Sequence, residues 1–414
     1  MKPWLKILVG LALGFLLGLF LFNFGKGSSV IASSSALILD YIGKAFINLL
    51  QMLVGLIIFS SLIVGMCHIS DPKKMGRIGL TTIVFYILTT LVAIGIGLMV
   101  VFFIKPGANL GLVLPINQMA NESKGLLDFL FSIVPSNPFA SFANGNILQI
   151  IVFAIFLAIA INMTGEKGKL ILSYIESLSD VMASLTHIVM RFAPYGVFAL
   201  IATAVGAIGH KFLHLFSAVG CIFIAALIQI VIVFPIIIKF MAKIGVAPFF
   251  KGMKDAIVVA FTTSSSSATL PVSLECARDH LGISSDISGF VLSLGSTVNM
   301  NGTAIGQSVL AIFIAQAYGI EIGFSSIIIL MFTTLVSAVG TAGVPGSGLI
   351  MLSIVLSEMG LPLEGIVYVA GIDRLRDMIA TVVNILGDAV AAVYIAKKEK
   401  QIDFNKYYKV TLLD

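Results

Sequence analysis

Gly371-Ile-Asp-Arg-Leu-Arg-Asp-Met-Ile-Ala-Thr-Val-Val-Asn-Ile-Leu-Gly-Asp388 is an apolar run broken by acids, bases and an amide. Wound as an α-helix at about 100° per residue, it places Asp373, Asp377, Thr381, Asn384 and Asp388 within an arc of about 80°. These side chains share one face. A charge near the middle of a membrane helix costs about 2.5–3.5 kcal/mol on insertion scales, so such a stripe must face partners or ions. An interhelical salt-bridge network, with Arg374 and Arg376 neutralising Asp373 and Asp377, explains the first turns as well as a binding role does. It does not explain Asp388, which lies four turns deeper with no Lys or Arg nearby in sequence. A carboxylate one turn from the Asn384 amide is a hard-oxygen arrangement suited to a desolvated monovalent cation.

The rest of the chain supplies the membrane that this reading needs. Of 414 residues, 58% are hydrophobic and 11% charged, against about 25% charged in a soluble domain. Apolar runs long enough to cross a bilayer recur, at about 5–24, 37–69, 77–104, 146–163, 171–206 and 213–244. The run after Met1-Lys-Pro-Trp is read as a retained first span, since no small-residue cleavage site follows it. Lys2 and Lys6, Lys73, Lys74 and Arg77, Lys167 and Lys169, and Lys239, Lys243, Lys251 and Lys254 make every second boundary basic. The amino terminus and those loops are therefore expected in the cytoplasm, in a multi-pass protein of the plasma or inner membrane with both termini inside. The net charge of +5 sits in these short clusters and not in a nucleic-acid-binding face. Cys67, Cys221 and Cys276 are widely spaced and read as free thiols. The longest polar interruption, at about 106–145, is an outer loop with a glycosylation-type Asn121-Glu-Ser.

After residue 245 the apolar stretches break in their middles: at Thr262-Thr-Ser-Ser-Ser-Ser-Ala-Thr-Leu-Pro271, at Asn299-Met-Asn-Gly-Thr303 and at Gly340-Thr-Ala-Gly-Val-Pro-Gly-Ser-Gly348. Each break frees backbone groups that lipid cannot satisfy, so each must line protein or a polar cavity. The first and third lie roughly 75 residues apart in apolar stretches of similar length, the pattern of two helical hairpins in an inverted-repeat carrier with a central site. Hydroxyls of Ser264–Ser267 and Thr303, the amide of Asn299 and close-approach glycines at 295, 302 and 340 complete the materials of such a site. Taken one at a time, these hydroxyls also serve to glue membrane helices together.

In this order and spacing the motifs resemble the dicarboxylate/amino acid:cation symporter family, which includes excitatory amino acid transporters, neutral amino acid exchangers and archaeal aspartate transporters. The resemblance runs from the Asp71-Pro-Lys-Lys-Met-Gly-Arg77 loop to Asp388. It implies an all-α membrane protein of eight transmembrane helices and two re-entrant hairpins, at about 247–281 and 322–358, assembled as a homotrimer. Residues 1–69 and 106–206 (spans one, two, four and five) would form the scaffold. Residues 70–105 and 207–400 would form a transport domain that moves as an elevator, with 401–414 as a cytoplasmic tail.

The resemblance also assigns residues. Ser265, Ser266 and Ser267 would form the inner hairpin tip, and Val344 to Gly348 the outer gate. Asp377 would take the substrate ammonium, Thr303 and Asn384 its α-carboxylate and backbone, and Thr381 and position 380 would line the pocket. One sodium ion would use Gly295, Asn299, Asn384 and Asp388. A second would use Thr297, Met300, Ala338 and Thr341, largely through carbonyls. A third would use Tyr86, Thr89, Thr90, Asn299 and residue 301.

Two positions depart from the family pattern. Where members that carry acidic substrates have an arginine for the side-chain carboxylate, this chain has Ala380, so a neutral amino acid is the expected substrate. Arg376 lies one turn earlier and within about 40° on the wheel. It, or Arg374, which resembles an Asp-Arg pair of bacterial dicarboxylate members, supplies the alternative of glutamate, aspartate or a C4-dicarboxylate. Asn301 stands where the family usually has Asp, so two to three coupled sodium ions are expected, fewer than in relatives with Asp; Asp388 favours sodium over protons. A channel also uses broken helices but needs no ammonium-binding acid. The five histidines fall in no HExxH arrangement, and neither GxSxG nor a Walker glycine loop occurs, which argues against an enzyme.

Overall fold

The structure, a computed structural model, describes residues 3–24, 31–67, 74–108, 110–111, 134–208, 213–341, 343 and 346–409. The Asn121 motif and Val344 lie outside the described residues. Among those described there is no β-strand, only an isolated bridge between Ile283 and Ile402. Among the described residues, four helical stretches are long and apolar enough to cross a membrane: 77–104, 214–242, 285–317 and 373–398. Helix is the only open-chain solution there, because it satisfies its own backbone groups in lipid. Side chains such as Phe103, 90% exposed, and Met163 on the outer faces of helices suit lipid or a neighbouring protein, not water.

Helices α1 (Pro3–Phe24), α2 (Ile31–Cys67) and α3 (Lys74–Ile104) open the chain. A short α4 (Pro138–Ala143), capped by the Asn137 side chain, leads into α5 (Ile147–Thr164). The single span expected at 171–206 is instead two helices, α6 (Gly168–Met190) and α7 (Ala193–Ile208). The amides of Arg191 and Phe192 turn back to Ile188 and Val189 in three-residue steps. Pro194, in the first turn of α7, has no N–H to carry the ladder across. Gly10, Gly14 and Gly18, one turn apart on α1, let that helix close onto the backbones and side chains of Pro194, Phe198 and Val205 on α7, a small-residue membrane interface. Helix α2 packs on α5, α6 and α7.

After these helices comes α8 (Leu213–Ile228), which continues through two π-helical stretches, Gln229–Val233 and Ile237–Ala242. Pro235 sits between them, in the Phe234–Ile236 turn, and its missing N–H accounts for the wider turns. Then come α9 (Val246–Gly252), α10 (Lys254–Thr263) and α11 (Ser266–Glu275). Between α10 and α11 the chain reverses at Ser264, whose φ is 54°, and Ser265 caps α11 by accepting from the Ala268 amide. Helices α12 (Ser285–Val298) and α13 (Asn301–Ala317) are one rod broken at Asn299-Met300. Helices α14 (Phe324–Val339) and α15 (Ser347–Glu358) form the second helix-turn-helix, α15 starting from Gly346 at φ 82°. A short α16 (Gly365–Ala370) precedes α17 (Asp373–Lys398), and α18 (Phe404–Lys409) follows it. Almost all of α13 and α17 is buried. Helix α17 is enclosed by α10, α12 and α13, and α3 lies against α13 and α8.

Candidate functional site

The two helix breaks and the interrupted end of α14 converge on the polar stripe of α17. At its deep end Asp388, 3% exposed, accepts a hydrogen bond from Asn299 Nδ2 at 2.8 Å. Tyr86 on α3 donates to the Val291 carbonyl at 2.8 Å. A Cβ on Gly295 would meet the Asp388 carboxyl carbon at 2.5 Å and the Tyr86 hydroxyl at 2.6 Å, so only glycine admits both. Gly387 likewise leaves room for the amides of Asn299 and Asn301, at 2.7 and 2.9 Å from its would-be Cβ. Thr90 donates to Asn301 Oδ1 at 2.7 Å. Asn299 Oδ1 and Asn301 Nδ2 are buried without a partner among the described residues. A buried carboxylate whose one described hydrogen bond comes from a neutral amide is costly unless a cation joins it. Carboxylate, amide oxygen and hydroxyl are hard ligands, which fit sodium and not a thiophilic metal.

One turn earlier Asn384 accepts from the Gly302 amide at 2.7 Å, while its Nδ2 reaches Met300 Sδ at 3.2 Å and Thr303 Oγ1 at 3.4 Å. The broken rod is thus stitched to α17 at Asn299-Met300 and just beyond it, at Gly302 and Thr303. Thr381 donates to the Asp377 carbonyl, and the Asp377 carboxylate accepts from the Gly346 amide at 3.1 Å, which ties the α14–α15 turn to α17. The two hairpin tips also meet. Ser265 Oγ donates to the Gly343 carbonyl at 2.6 Å, and the Ser267 amide donates to the same oxygen at 3.1 Å. A Cβ on Gly343 would meet the Ser296 carbonyl at 2.7 Å, so this tip also touches the end of α12.

Arg376, 1% exposed, is the largest fully buried side chain among the described residues. Its Nε donates to Asp373 at 2.9 Å, its Nη2 also bonds Asp373, and Asp377 lies 3.6 Å away. The guanidinium lies between Gly306 of α13 and Gly348 of α15, where a Cβ would meet Nη1 at 3.0 and 2.6 Å respectively. Nη1 itself is buried with no hydrogen-bond partner among the described residues. Arg374 points elsewhere: its Nη2 donates to the Thr262 and Thr263 carbonyls at 3.2 and 3.3 Å, at the carboxyl end of α10.

The family model that matches this chain, over residues 4–398, is that of the sodium:dicarboxylate symporter family. The chain belongs to that family. A proton/sodium-glutamate symport protein of Bacillus subtilis is 35% identical over 404 residues, covering 95% of this chain and 92% of its own. A proton/glutamate-aspartate symporter of Escherichia coli is 34% identical over 418, covering 97% and 94%. A C4-dicarboxylate transport protein of Serratia proteamaculans is 30% identical over 410, covering 97% and 92%. This member of the sodium:dicarboxylate symporter family is therefore a cation-coupled, multi-pass membrane transporter. The expectation of a neutral substrate, drawn from Ala380, finds no support among these relatives, whose names favour the acidic alternative.

Of the residues singled out in the sequence of this symporter, Gly295, Asn299 and Asp388 come together with the Tyr86 hydroxyl, Thr90 pairs with Asn301, and Asn384 joins Met300, Gly302 and Thr303. Thr89 is buried, but its hydroxyl turns back onto its own helix at Phe85 and Tyr86. Thr297 does the same at Leu294, while the Thr341 amide donates to Ala338 and its hydroxyl to Ser337. Ser266 is buried in the first turn of α11. Ala380 is buried with its backbone against Gly302. Sequence reasoning missed the glycine pair that houses Arg376, since Gly306 and Gly348 lie in other helices. It also missed the Gln307 side chain, which accepts from Ser337 at 2.9 Å. A cavity of about 540 Å³ lies away from all of these, between Met52 and Leu56 of α2, the Phe142–Asn146 turn, and Ser353 and Ser357 of α15.

Proposed function

We propose that this protein is a sodium-coupled symporter of acidic amino acids. The observation that carries the reading is Arg376: a buried guanidinium, fixed by Asp373, with one nitrogen unpaired beside the helix that begins at the α14–α15 turn. It supplies one turn away the positive group that Ala380 lacks. A bidentate guanidinium contact recognises a carboxylate with both charge and geometry. The substrate's distal carboxylate binds Arg376, its ammonium binds Asp377, and its α-carboxylate binds at Thr303, Asn384 and the hairpin backbones. An ammonium partner is what separates an amino acid from a C4-dicarboxylate, and Asp377 is that partner here. Sodium is held at Asp388, Asn299 and the carbonyls near Gly295, with a second ion at the Thr297, Met300, Ala338 and Thr341 set. With an amide at 301, the Tyr86, Thr89, Thr90, Asn299 and Asn301 set is the weakest of the three. The coupled number is two, and protons are not needed.

The packing of α1 on α7, of α2 on α5–α7 and of α3 on α13, α8 and α17 supports the further reading of a scaffold made of α1, α2 and α5–α7, and a moving unit made of α3 and α8–α17. In that reading Val344 to Gly348 gate the outer side, the scaffolds form a homotrimer and both termini face the cytoplasm. The decisive experiment is a binding series on purified protein in saturating sodium, with glutamate, aspartate, succinate, serine and alanine. Aspartate or glutamate should bind at least tenfold more tightly than the others. Tighter binding of serine or alanine overturns the acidic reading, and tighter binding of succinate overturns the role of Asp377.

A further inference from the structure

The chain does not leave the fold after α17. Lys400 reverses it at φ 57°. Ser284, between the first hairpin and α12, then donates its amide to the Gln401 carbonyl at 3.2 Å and its hydroxyl to Gln401 Oε1 at 2.7 Å. Ile402 bridges Ile283, and the Asp403 amide donates to Gly282 at 2.8 Å. The Asp403 carboxylate caps α18 by accepting from the Asn405 and Lys406 amides. Tyr407, fully buried, donates to the Gly245 carbonyl at 2.7 Å, and the Gly245 amide donates to the Tyr408 hydroxyl at 3.3 Å. Residues 400–409 are clasped to the first hairpin and to the residue where the long α8 stretch has just ended.

That clasp fixes the depth of α18. Phe240 and Met241, 65% and 52% exposed in the last turns before Gly245, belong to an outward apolar face, and Lys239 lies over the Phe240 ring. A lipid-facing turn followed at once by lysine marks the membrane–water boundary. Held at Gly245, α18 lies at that boundary. Its outer surface carries Phe404 stacked on Tyr408, the kind of aromatic pair that settles at headgroup level. Lys243, Lys400, Lys406 and Lys409 are exposed around it and form no ion pair among the described residues. The acids of the same segment do not neutralise them: Glu399 pairs with Arg77 at 2.6 Å and Asp403 is held by its own helix.

We infer that the carboxyl-terminal clasp is a docking surface for anionic lipid headgroups, with Phe404 and Tyr408 in the interface and the lysines on the phosphates. Charge complementarity names the occupant, because the inner leaflet carries the anionic lipid and attracts juxtamembrane lysines. The inference rests on the inward orientation of this end and on no assignment of substrate.

The test uses the full chain in nanodiscs of phosphatidylcholine alone or with phosphatidylglycerol, comparing wild type, the double variant K406Q with K409Q, and the charge-keeping K406R with K409R. Phosphatidylglycerol should raise the unfolding temperature of the wild type and the arginine variant. The glutamine variant should lose at least half of that increment while unfolding as the wild type does in phosphatidylcholine. Native mass spectrometry should show lipid-sized adducts that fall in the glutamine variant alone. An equal phosphatidylglycerol response in all three proteins overturns the inference. So does a glutamine variant that fails equally in both lipids, or adducts of a second protein chain in place of lipid.

Discussion

Gly348→Ala should weaken acidic substrates selectively. The new methyl would sit 2.5 Å from Arg376 Nη2, 2.6 Å from Nη1 and 3.0 Å from Cζ. Contact distances are near 3.5 Å, so the guanidinium must retreat by roughly 1 Å. It cannot do so as a unit, because Nε and Nη2 are bonded to Asp373. What is lost is a charge-assisted contact to the distal carboxylate, about 1.5–3 kcal/mol, or roughly 10- to 150-fold in Kd. Gly306→Ala is the control on the other wall. Its methyl would meet the flexible stem first, Cδ at 2.9 Å, and Nη1 only at 3.0 Å, so the loss should stay below about tenfold. Calorimetric titration of glutamate and of serine in saturating sodium measures both. If Gly348→Ala binds glutamate within a factor of two of wild type, or loses serine binding equally, Arg376 is not the carboxylate partner. Moving the charge, Arg376→Ala with Ala380→Arg, should restore glutamate binding, since the positions differ by one turn and about 40°.

Asp388→Asn removes the one carboxylate at the deep end of the stripe, which Asn299 holds at 2.8 Å. The sodium concentration that half-saturates substrate binding should rise about 100-fold or more, in line with 3–5 kcal/mol for stripping a buried charge from its partner; an unchanged sodium dependence removes Asp388 from the cation site. Asn301→Asp adds a carboxylate beside Thr90 and should raise the coupled sodium count by one, read from reversal potentials in proteoliposomes; an unchanged stoichiometry rejects the weak third site. Burial pushes the Tyr407 hydroxyl above its ordinary value of about 10. The folded state therefore prefers the neutral ring, and stability is kept below that pH and falls above it. Tyr407→Phe should blunt the alkaline loss of thermal stability at the cost of about 1 kcal/mol from the bond to Gly245.

What could be read from sequence was whatever a single stretch of chain carries. Asp388 declared itself because nothing basic lies near it, and the breaks at Ser264 and Asn299 because polar and glycine residues interrupt runs that lipid would otherwise keep helical. The division of the fifth apolar run was not legible. Pro194 was visible, but a lone proline kinks some membrane helices and ends others, and the backbone turn at Arg191-Phe192 decides between them. The lodging of Arg376 was hidden for a different reason. The wheel places it on the flank of the stripe, but its clearance comes from Gly306 and Gly348 on two other helices, and no local pattern links the three. The same holds for residues 401–409, whose composition reads as a tail although Ile402 and Tyr407 pack against Ile283 and Gly245, more than a hundred residues away. The substrate expectation lacks support at this same level: Ala380 announces a missing arginine, and the replacement proposed above depends on where the Arg376 side chain is held.

The proposed coupling of ion and solute has a short physical path. Residues 299–303 are the broken middle of one rod, and both halves of the site draw on it. Asn299 is bonded to Asp388, while Gly302 and Thr303 are bonded to Asn384, one turn along the same face of α17. A cation that takes Asp388 and the unpaired Asn299 Oδ1 fixes the backbone at the break, and with it the Gly302 and Thr303 groups offered to the solute. By linkage the solute must favour the cation by the same factor, and couplings of this kind amount to about 1–3 kcal/mol, or roughly 5- to 150-fold. No long-range relay is required, because the two ligands share five residues. Weakening the Asn384 contacts, as Asn384→Ala would, should therefore cut the sodium dependence of substrate affinity more than it cuts sodium affinity measured alone.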